Sequence, residues 1–203
     1  MITLYHAPQS RSSRIIWLLE ELGVEYRIQP VSIFRPMTGT GSPDPANPHP
    51  DKQVPAIDHD GVVVAESVGI VLYLTDAFPG AGLGAALGDS RRGDYLTWLT
   101  WYSAAMEPAM FASMGGELAD APMKQRGYDA VLKRLETALA RGPWLMGGHF
   151  SAVDLVVGSA LDFARKAFPE SDSIDDFVAR CKARPAALRA VALDDTAGLQ
   201  QAA

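Results

Sequence analysis

The chain has 203 residues, of which 48% are hydrophobic and 21% charged, and a net charge of -6 at pH 7. This acidic balance argues against a nucleic-acid partner, because a phosphate backbone requires a basic protein face. A single cysteine, Cys181, excludes both an internal disulfide framework and a pair of thiols for redox chemistry.

The start of the chain and its apolar segments indicate where the protein works. The first ten residues have neither the basic region nor the long apolar stretch of a signal peptide. The longest apolar segment, residues 62–74, is interrupted by Glu66 and is too short to span a bilayer. We therefore expect a soluble cytoplasmic protein with no membrane partner, long enough for one domain or two small ones.

The first 30 residues predict a strand–helix–strand unit. Residues 2–5 are typical of a short buried strand, and residues 24–29 alternate as a second one. Between them, four apolar residues share one helical face: Ile15, Leu18, Leu19 and Leu22. Gly23 is placed to end this helix in the left-handed conformation. Two strands joined by such a crossover should be parallel.

A second group of elements follows a long loop. Residues 33–53 are rich in proline and glycine and have no periodicity, and loops of this length are usually functional or mobile. Two short strands then flank a turn at Asp60-Gly61, and a helix starts near Ser67. Residues 1–79 are therefore predicted as βαβ followed by ββα, and residues 80–88 as a linker.

Residues 89–203 are predicted to be helical throughout. The first helix contains Pro108, which we expect to bend or end it. Ser151 and Asp154 form a capping box at the start of a later helix, with Phe150 and Leu155 as its hydrophobic staple. The other predicted segments are helices over residues 122–141, 174–183 and 185–192, with a frayed tail from Asp194.

Three serines stand where the first strand passes into the first helix. Ser10, Ser12 and Ser13 could cap the helix, or one of them could hold a reactive group against its positive end. The four histidines show no ligand spacing, so we expect no metal site. Two residues of the helix before Pro108, Tyr102 and Met106, are candidates for lining an apolar co-substrate pocket.

Two further junctions have a structural and a functional interpretation. Pro55 could simply begin a strand, or a cis Val54-Pro55 bond could turn the Val54 main chain toward an extended ligand. Ser67 could be an N-cap, or the helix start could bind an anion, with Glu66 beside it taking an ammonium group. The residues alone leave both pairs of alternatives open.

These features, taken in order, resemble the cytosolic glutathione S-transferases. The resemblance covers essentially the whole chain: "LYHAPQSRSSR" entering the first helix, "HPDKQVPAI" around the proline, "AES" at the next helix, the linker, and the "FSAVD" capping box. It implies the glutathione-transferase fold, an α/β thioredoxin-like N-terminal domain (βαβ-ββα) followed by an all-α domain. It also implies glutathione as co-substrate, an electrophilic second substrate, and a homodimer.

The resemblance also implies roles for single residues. Val54 would pair with the cysteinyl backbone of glutathione, and Glu66 and Ser67 would hold its γ-glutamyl end. Gln53 stands where the family more often has a lysine, so it would bind the glycine carboxylate of glutathione without charge. Lys52 or a residue of the long loop would then supply the missing cation.

In the family a Tyr, Ser or Cys after the first strand contacts the glutathione sulfur. Serine-type members place it four residues before an arginine, a spacing matched by Ser10 and Arg14. Ser10 is therefore the candidate, Ser12 the runner-up and Ser13 the expected helix cap. The expected function is a glutathione transferase. The alternatives are a glutathione-dependent peroxidase, isomerase or dehalogenase on the same fold, and a binding protein that has lost the chemistry.

Overall fold

In a computed structural model of the protein, the backbone is described for residues 1–202 and the side chains for residues 1–195. Contacts divide the chain into two compact units. The first unit is Met1–Ala81 together with Arg184–Ala203, and the second is Gly82–Ala183. The predicted boundaries had assigned all of residues 89–203 to the helical part, whereas the contacts group the C-terminal segment with the first unit.

The first unit is built on a four-stranded mixed sheet. Its N-terminal elements are β1 (Ile2–His6), α1 (Ser13–Leu22), β2 (Tyr26–Pro30), β3 (Ala56–His59), β4 (Val62–Ala65) and α2 (Ser67–Ala77). The strand order is β2-β1-β3-β4. As predicted, β1 and β2 are parallel, whereas β3 is antiparallel to both β1 and β4. The predicted βαβ-ββα arrangement is confirmed.

Short-range signals explain several of these boundaries. Gly23 ends α1 with φ +65° and donates its N–H to the carbonyl of Leu19, the left-handed cap that the sequence predicts. Asp60 and Gly61 both have positive φ between β3 and β4, as a tight hairpin turn requires. Four fully buried side chains join the sheet and helices in the core of this unit: Leu4, Ile16, Ile57 and Ile70.

The second unit is helical. It contains α3 (Arg92–Trp101), a π-helical segment (Tyr102–Met106), α4 (Glu107–Met114), α5 (Pro122–Leu139), α6 (Ala152–Phe163) and α7 (Asp172–Lys182). The capping box of α6 is present. The carboxylate of Asp154 is buried and accepts the N–H groups of Ser151 at 2.8 Å and Leu145 at 2.7 Å.

Pro108 does not end the helix in which it lies. Proline has no N–H to donate to the carbonyl four residues earlier. The turn that precedes it is π-helical, and the N–H of Glu107 reaches the carbonyl of Tyr102, five residues back. The extra residue in this π-helical turn allows the helix to continue into α4, which contains Pro108.

The last helix, α8 (Pro185–Ala202), belongs to the first unit and packs along α1. Its buried side chains include Ala187, Ala190 and Asp194, which share one face. The expectation of a frayed tail is therefore wrong at Asp194, and the side chains of residues 196–203 lie outside the described part. Over the residues that the structure describes, no helix is long and apolar enough to cross a membrane.

Candidate active site

The loop between β1 and α1 brings the hydroxyls of Ser10 and Ser12 into contact. The Ser10 Oγ donates to the carbonyl of Ala7 at 2.7 Å and lies 2.7 Å from the Ser12 Oγ. It also accepts the N–H of Ser12 at 3.1 Å. Ser10 is half-buried, whereas Ser12 is fully buried. Of the two, only Ser10 has surface with which to meet a ligand.

The Ser12 hydroxyl continues inward to His6, on β1. The Ser12 Oγ lies 2.8 Å from His6 Nδ1 and accepts the N–H of Ala7 at 3.2 Å. His6 has no exposed surface. The sequence analysis treats His6 only as one of four histidines without ligand spacing, yet its imidazole and the two hydroxyls form one continuous chain of contacts.

Ser13 was expected to cap α1, but it does not. It is the first residue of that helix, and its Oγ donates to Asp194 Oδ1 at 2.6 Å and accepts the N–H of Ser10 at 3.2 Å. The main chain instead satisfies the start of the helix, where the carbonyl of Ser12 accepts the N–H of Ile15 at 3.0 Å. The hydroxyl of Ser13 is therefore used to hold the last helix rather than to cap the first.

Asp194 is the residue of this region that sequence reasoning missed. One oxygen, Oδ2, accepts the N–H of Gln9 at 3.1 Å, and the other, Oδ1, lies 3.1 Å from His6 Nε2. Burial raises the pKa of the Asp194 carboxyl, but hydrogen bonds from His6, Ser13 and Gln9 outweigh burial and hold that pKa below its usual range. The carboxylate is therefore ionised at neutral pH.

The cis form of the Val54-Pro55 bond is confirmed. Pairing of β1 with β3 begins at Tyr5 and Ala56, and among the described loop and turn hydrogen bonds none uses the main chain of Val54. The preceding loop is held by the buried Asn47, whose Nδ2 donates to the carbonyl of Gln53 at 2.8 Å. The Gln53 side chain itself is exposed.

The two cations near this loop lie in different places. Lys52 donates its Nζ to the carbonyl of Asn47 at 2.6 Å, so its ammonium folds back on its own loop. Arg35, from the long loop, donates Nη2 to the carbonyl of Pro8 at 2.6 Å. A guanidinium from the long loop therefore contacts the segment that carries Ser10, a contact that the sequence did not predict.

The start of α2 carries an unsatisfied hydroxyl. Glu66 has φ +67° and a largely exposed side chain, a backbone conformation uncommon for a residue other than glycine and often retained at ligand sites. The Oγ of Ser67 is buried and has no hydrogen-bond partner within the described part of the chain. Ser67 does not cap the helix through its side chain, since it is the first helical residue.

The two candidate pocket residues lie at the ends of the π-helical segment in the second unit. Tyr102 is almost fully buried and donates its hydroxyl to Glu107 Oε1 at 2.8 Å, and Met106 is fully buried. The same unit contains a cavity of about 640 Å³ between α3 and α5, lined by Arg91, Asp94, Lys133, Arg134 and Arg141 among others. Neither candidate residue lines that cavity.

Chemically, the first unit combines three elements. The half-exposed hydroxyl of Ser10 lies in the loop just before α1, the unpartnered hydroxyl of Ser67 lies in the first turn of α2, and the cis Val54-Pro55 bond lies just before β3. Such an arrangement can bind an anionic, peptide-like molecule along its main chain and donate a hydrogen bond to a developing anion.

Two family models match most of the chain. Residues 1–76 match the model of the glutathione S-transferase N-terminal domain, and residues 101–190 match that of the glutathione S-transferase C-terminal domain. Glutathione S-transferase 3 of Schizosaccharomyces pombe is 30% identical over 113 residues, which are 56% of this chain but 46% of that protein. The disulfide-bond oxidoreductase YfcG of Escherichia coli is 30% identical over 174 residues, 76% of each chain.

A solved structure shares the fold. A sphingomonad glutathione S-transferase in complex with glutathione superimposes with a TM-score of 0.77 at 21% identity, covering 95% of this chain and 98% of that one. The two domain models together span most of the chain, and the E. coli relative aligns over about three quarters of both sequences. Both results are sufficient to assign the family. The chain belongs to the glutathione S-transferases.

Proposed function

We propose that the protein is a glutathione transferase in which the hydroxyl of Ser10 stabilises the thiolate of glutathione for attack on an apolar electrophile. Glutathione is the co-substrate, held by Gln53, Val54 and Pro55 on one side and by the start of α2 on the other. Its thiolate attacks an electrophilic carbon. The related sphingomonad enzyme was solved with glutathione bound, which supports this choice of ligand.

The observation that carries the proposal is the buried, unpartnered Oγ of Ser67. A buried hydroxyl without a partner costs about 1–3 kcal/mol, so its retention at a helix start calls for a ligand that satisfies it. The γ-glutamyl carboxylate of glutathione is such a ligand, because helix N–H groups and the helix dipole also favour an anion there. The exposed carboxylate of Glu66 is then available to the ammonium group of the same γ-glutamyl residue.

One hydroxyl is sufficient for the chemistry. A free thiol has a pKa near 8.5, and lowering it by about two units requires about 2.7 kcal/mol of preference for the anion. A hydrogen bond to a charged group contributes about 1.5–3 kcal/mol, and a helix start adds about 0.3–2. Ser10 is favoured over Ser12 as this donor because the Ser12 hydroxyl, unlike that of Ser67, is already surrounded by His6, Ser10 and the main chain of Ala7, whereas Ser10 is half-exposed.

Tyr102 and Met106 are proposed to serve the second substrate. Tyr102 is the first and Met106 the last residue of the π-helical segment that precedes Pro108. Single π-helical turns within α-helices occur frequently at functional sites. An aromatic ring and a thioether suit an apolar electrophile, because both adapt to irregular apolar shapes. We also propose the homodimer that the family resemblance implies, to be tested by sedimentation of the intact chain.

The test is a pH titration of the ultraviolet thiolate absorbance of bound glutathione, in the unaltered chain and in Ser10→Ala. We expect the pKa of the bound thiol to lie well below that of free glutathione and to rise in Ser10→Ala. Ser32→Ala, which removes an exposed hydroxyl that donates to the carbonyl of Ser42, is the matched control and should leave that pKa unchanged. A bound thiol with an unshifted pKa would contradict the mechanism, and absence of binding would contradict the proposal as a whole.

A second candidate function, glutathione-dependent disulfide reduction, is favoured by the match to the E. coli oxidoreductase. This chain has one cysteine, and Cys181 is buried in α7. Disulfide reduction here would therefore take both of its electrons from the thiols of two glutathione molecules, yielding glutathione disulfide. Turnover of a disulfide substrate that survives in Cys181→Ala, with no turnover of electrophiles, would select this function over the transferase.

A further inference from the structure

We propose that His6 takes up the thiol proton of glutathione through the hydroxyls of Ser12 and Ser10, and that Asp194 positions His6 to do so. This inference rests on the proposed function and deepens it, because it gives a destination for the proton that the activated thiol loses. His6 and Asp194 act through the two serines and touch no substrate, so both are positioning residues.

The contacts form an unbroken path within the first unit. From the ligand side inward, the distances are 2.7 Å from Ser10 Oγ to Ser12 Oγ and 2.8 Å from Ser12 Oγ to His6 Nδ1. The path ends 3.1 Å from His6 Nε2, at Asp194 Oδ1. The two contacts between Ser10, Ser12 and His6 are hydrogen-bond distances. The contact of His6 Nε2 with Asp194 is at ion-pair distance without hydrogen-bond geometry among the described residues.

Asp194 selects the tautomer of His6 that the path needs. A carboxylate beside Nε2 favours a proton on that nitrogen, which leaves Nδ1 free to accept one from Ser12. The groups that face the imidazole come from two elements besides its own strand: the hydroxyl of Ser12 at the start of α1, and the carboxylate of Asp194 on α8. Because the imidazolium would form beside that carboxylate, its positive charge would be paired although it is fully buried.

The transfer balances in bonds and charge. Both O–H groups first turn away from the carbonyl of Ala7, which lies 2.7 Å from Ser10 Oγ and 3.2 Å from Ser12 Oγ, toward Ser12 Oγ and His6 Nδ1. The S–H bond then breaks, and its proton joins Ser10 Oγ as the proton of Ser10 moves to Ser12 Oγ and the proton of Ser12 moves to His6 Nδ1. Both hydroxyls are restored, the Ser10 O–H now points at the thiolate, and one new N–H bond exists on His6. No oxidant, reductant or other reactant is required. Reversal of the same path returns the proton toward the ligand once the thiolate has reacted.

The contacts along this path are not explained by a purely structural role, in which they would only hold α8 against α1. A tether would need only the bonds from Ser13 and Gln9 to Asp194, which already hold α8. The fully buried His6 adds an imidazole nitrogen at the inner end of a chain of hydroxyls whose outer member is half-exposed. A tether affects stability, whereas a proton path affects where the thiol proton goes.

The experiment compares protons released with thiolates formed when glutathione binds to the unaltered, full-length protein. Thiolate is measured by its ultraviolet absorbance, and released protons by an indicator dye in weakly buffered solution at neutral pH. S-methylglutathione, which has no thiol proton, supplies the baseline for all other proton changes on binding. We expect far fewer protons than thiolates, because His6 retains them.

Two pairs of variants localise the retained proton. His6→Asn keeps an acceptor near the position of Nδ1 but cannot hold a proton, and we expect its release to rise to one proton per thiolate and its kcat/KM to fall by about 10²-fold. His59→Asn, on β3, is its control. Asp194→Asn should reduce the fraction of thiolate at neutral pH, whereas Asp195→Asn, one residue along α8 and exposed, should not.

The outcomes separate the two proposals. Release of one proton per thiolate by the unaltered protein would overturn the proton path and leave the transferase with Ser10 intact. A pH profile and proton count that are the same in His6→Asn as in the unaltered chain would also overturn it. Failure to bind glutathione, or binding without thiolate, would overturn the proposed function and the path together.

Discussion

Glu21 of α1 and Arg184, the residue before α8, form a two-point ion pair. The Nε of Arg184 donates to Oε1 of Glu21 and its Nη2 donates to Oε2 at 2.8 Å. The Glu21 side chain is almost buried, and its Oε1 also accepts the indole N–H of Trp17 at 2.9 Å. The pair therefore fixes the point where the chain rejoins the first unit.

Replacing Glu21 by glutamine should destabilise the protein by about 1–3 kcal/mol, because a partly buried guanidinium loses its charged partner. Urea unfolding at neutral pH would measure the change as a lower midpoint. Glu25→Gln, which removes the same charge from an exposed position just after α1, should change the midpoint little. Equal effects of the two substitutions would show that net charge, not the ion pair, is responsible.

Ser67→Ala should separate ligand binding from stability. Removing an unpartnered buried hydroxyl should leave the free energy of unfolding unchanged or raise it, since the desolvation cost of that group disappears. The dissociation constant of glutathione should rise about tenfold, the equivalent of 1.4 kcal/mol. Calorimetric titration and urea unfolding of the same preparation would measure both quantities.

A control for this prediction is Ser32→Ala, which removes an exposed hydroxyl that donates to the carbonyl of Ser42. That variant should bind glutathione as the unaltered chain does. If Ser67→Ala instead lowered stability and left binding unchanged, the hydroxyl would have a structural partner, and the glutathione site at α2 would lose its main support.

Stability should depend on pH through Asp194. Its pKa in the folded protein is below the ordinary value of 3.8, so the folded state binds this proton less readily than the unfolded state does. Its contribution is therefore present above pH 3.8 and is lost as the pH falls through the lower pKa of the folded state. We expect Asp194→Asn to be less stable than the unaltered protein by about 1–3 kcal/mol at neutral pH.

That difference should begin to shrink near pH 3.8, where the unfolded chain starts to bind the proton, and should go on shrinking as the pH falls through the lower pKa of the folded protein. Urea unfolding of the two proteins across this range measures it, and Asp195→Asn serves as the control. A stability difference that stayed constant with pH would mean that the interactions of Asp194 do not depend on its charge.

At Gly158, α6 packs against Cys181 of α7 with no room for a side chain. A Cβ at this position would lie 2.6 Å from the Sγ of Cys181 and 3.2 Å from its Cβ. Both helices are packed here, so Gly158→Ala should cost about 1–3 kcal/mol through overpacking, despite the better helix propensity of alanine. Thermal unfolding would detect the loss.

A second substitution tests the cause of that loss. Cys181→Ala removes the sulfur that the new methyl group meets, so the double variant should be more stable than the sum of the single effects predicts. Gly127→Ala, on the exposed side of α5 with nothing within 4 Å of its added Cβ, should be neutral or stabilising. If the effects of Gly158→Ala and Cys181→Ala on stability were strictly additive, the loss in Gly158→Ala would not come from contact between the added methyl group and this sulfur.

The parts of the fold that the sequence predicted depend on neighbours in the chain. Gly23 ends α1, and Asp60-Gly61 turns the chain between β3 and β4, because the conformation of each is set by a few adjacent residues. The position of the Val54-Pro55 bond was also apparent, although its isomer was left open. Hydrophobic periodicity predicted the helices for the same reason, because it depends on residues a few positions apart.

The parts that were not predicted depend on distant contacts. Asp194 meets Gln9 across 185 positions, and no local pattern connects two such residues. One signal was present: Asp194 follows Ala187 and Ala190 at helical spacing, but the helix was predicted only to residue 192, so this acid was assigned to a frayed tail instead of a buried face. Ser13 was misassigned as a cap because its true partner is this distant carboxylate.

The assignment of α8 to the first unit has a consequence for how the protein is made. The ribosome completes the β-strands first, then synthesises all of Gly82–Ala183, and only afterwards the helix that packs on α1. At about 5–20 residues per second, that interval lasts several seconds. The nascent N-terminal unit is therefore without α8 during that interval, and Glu21 gains its guanidinium partner only after Gly82–Ala183 has been synthesised.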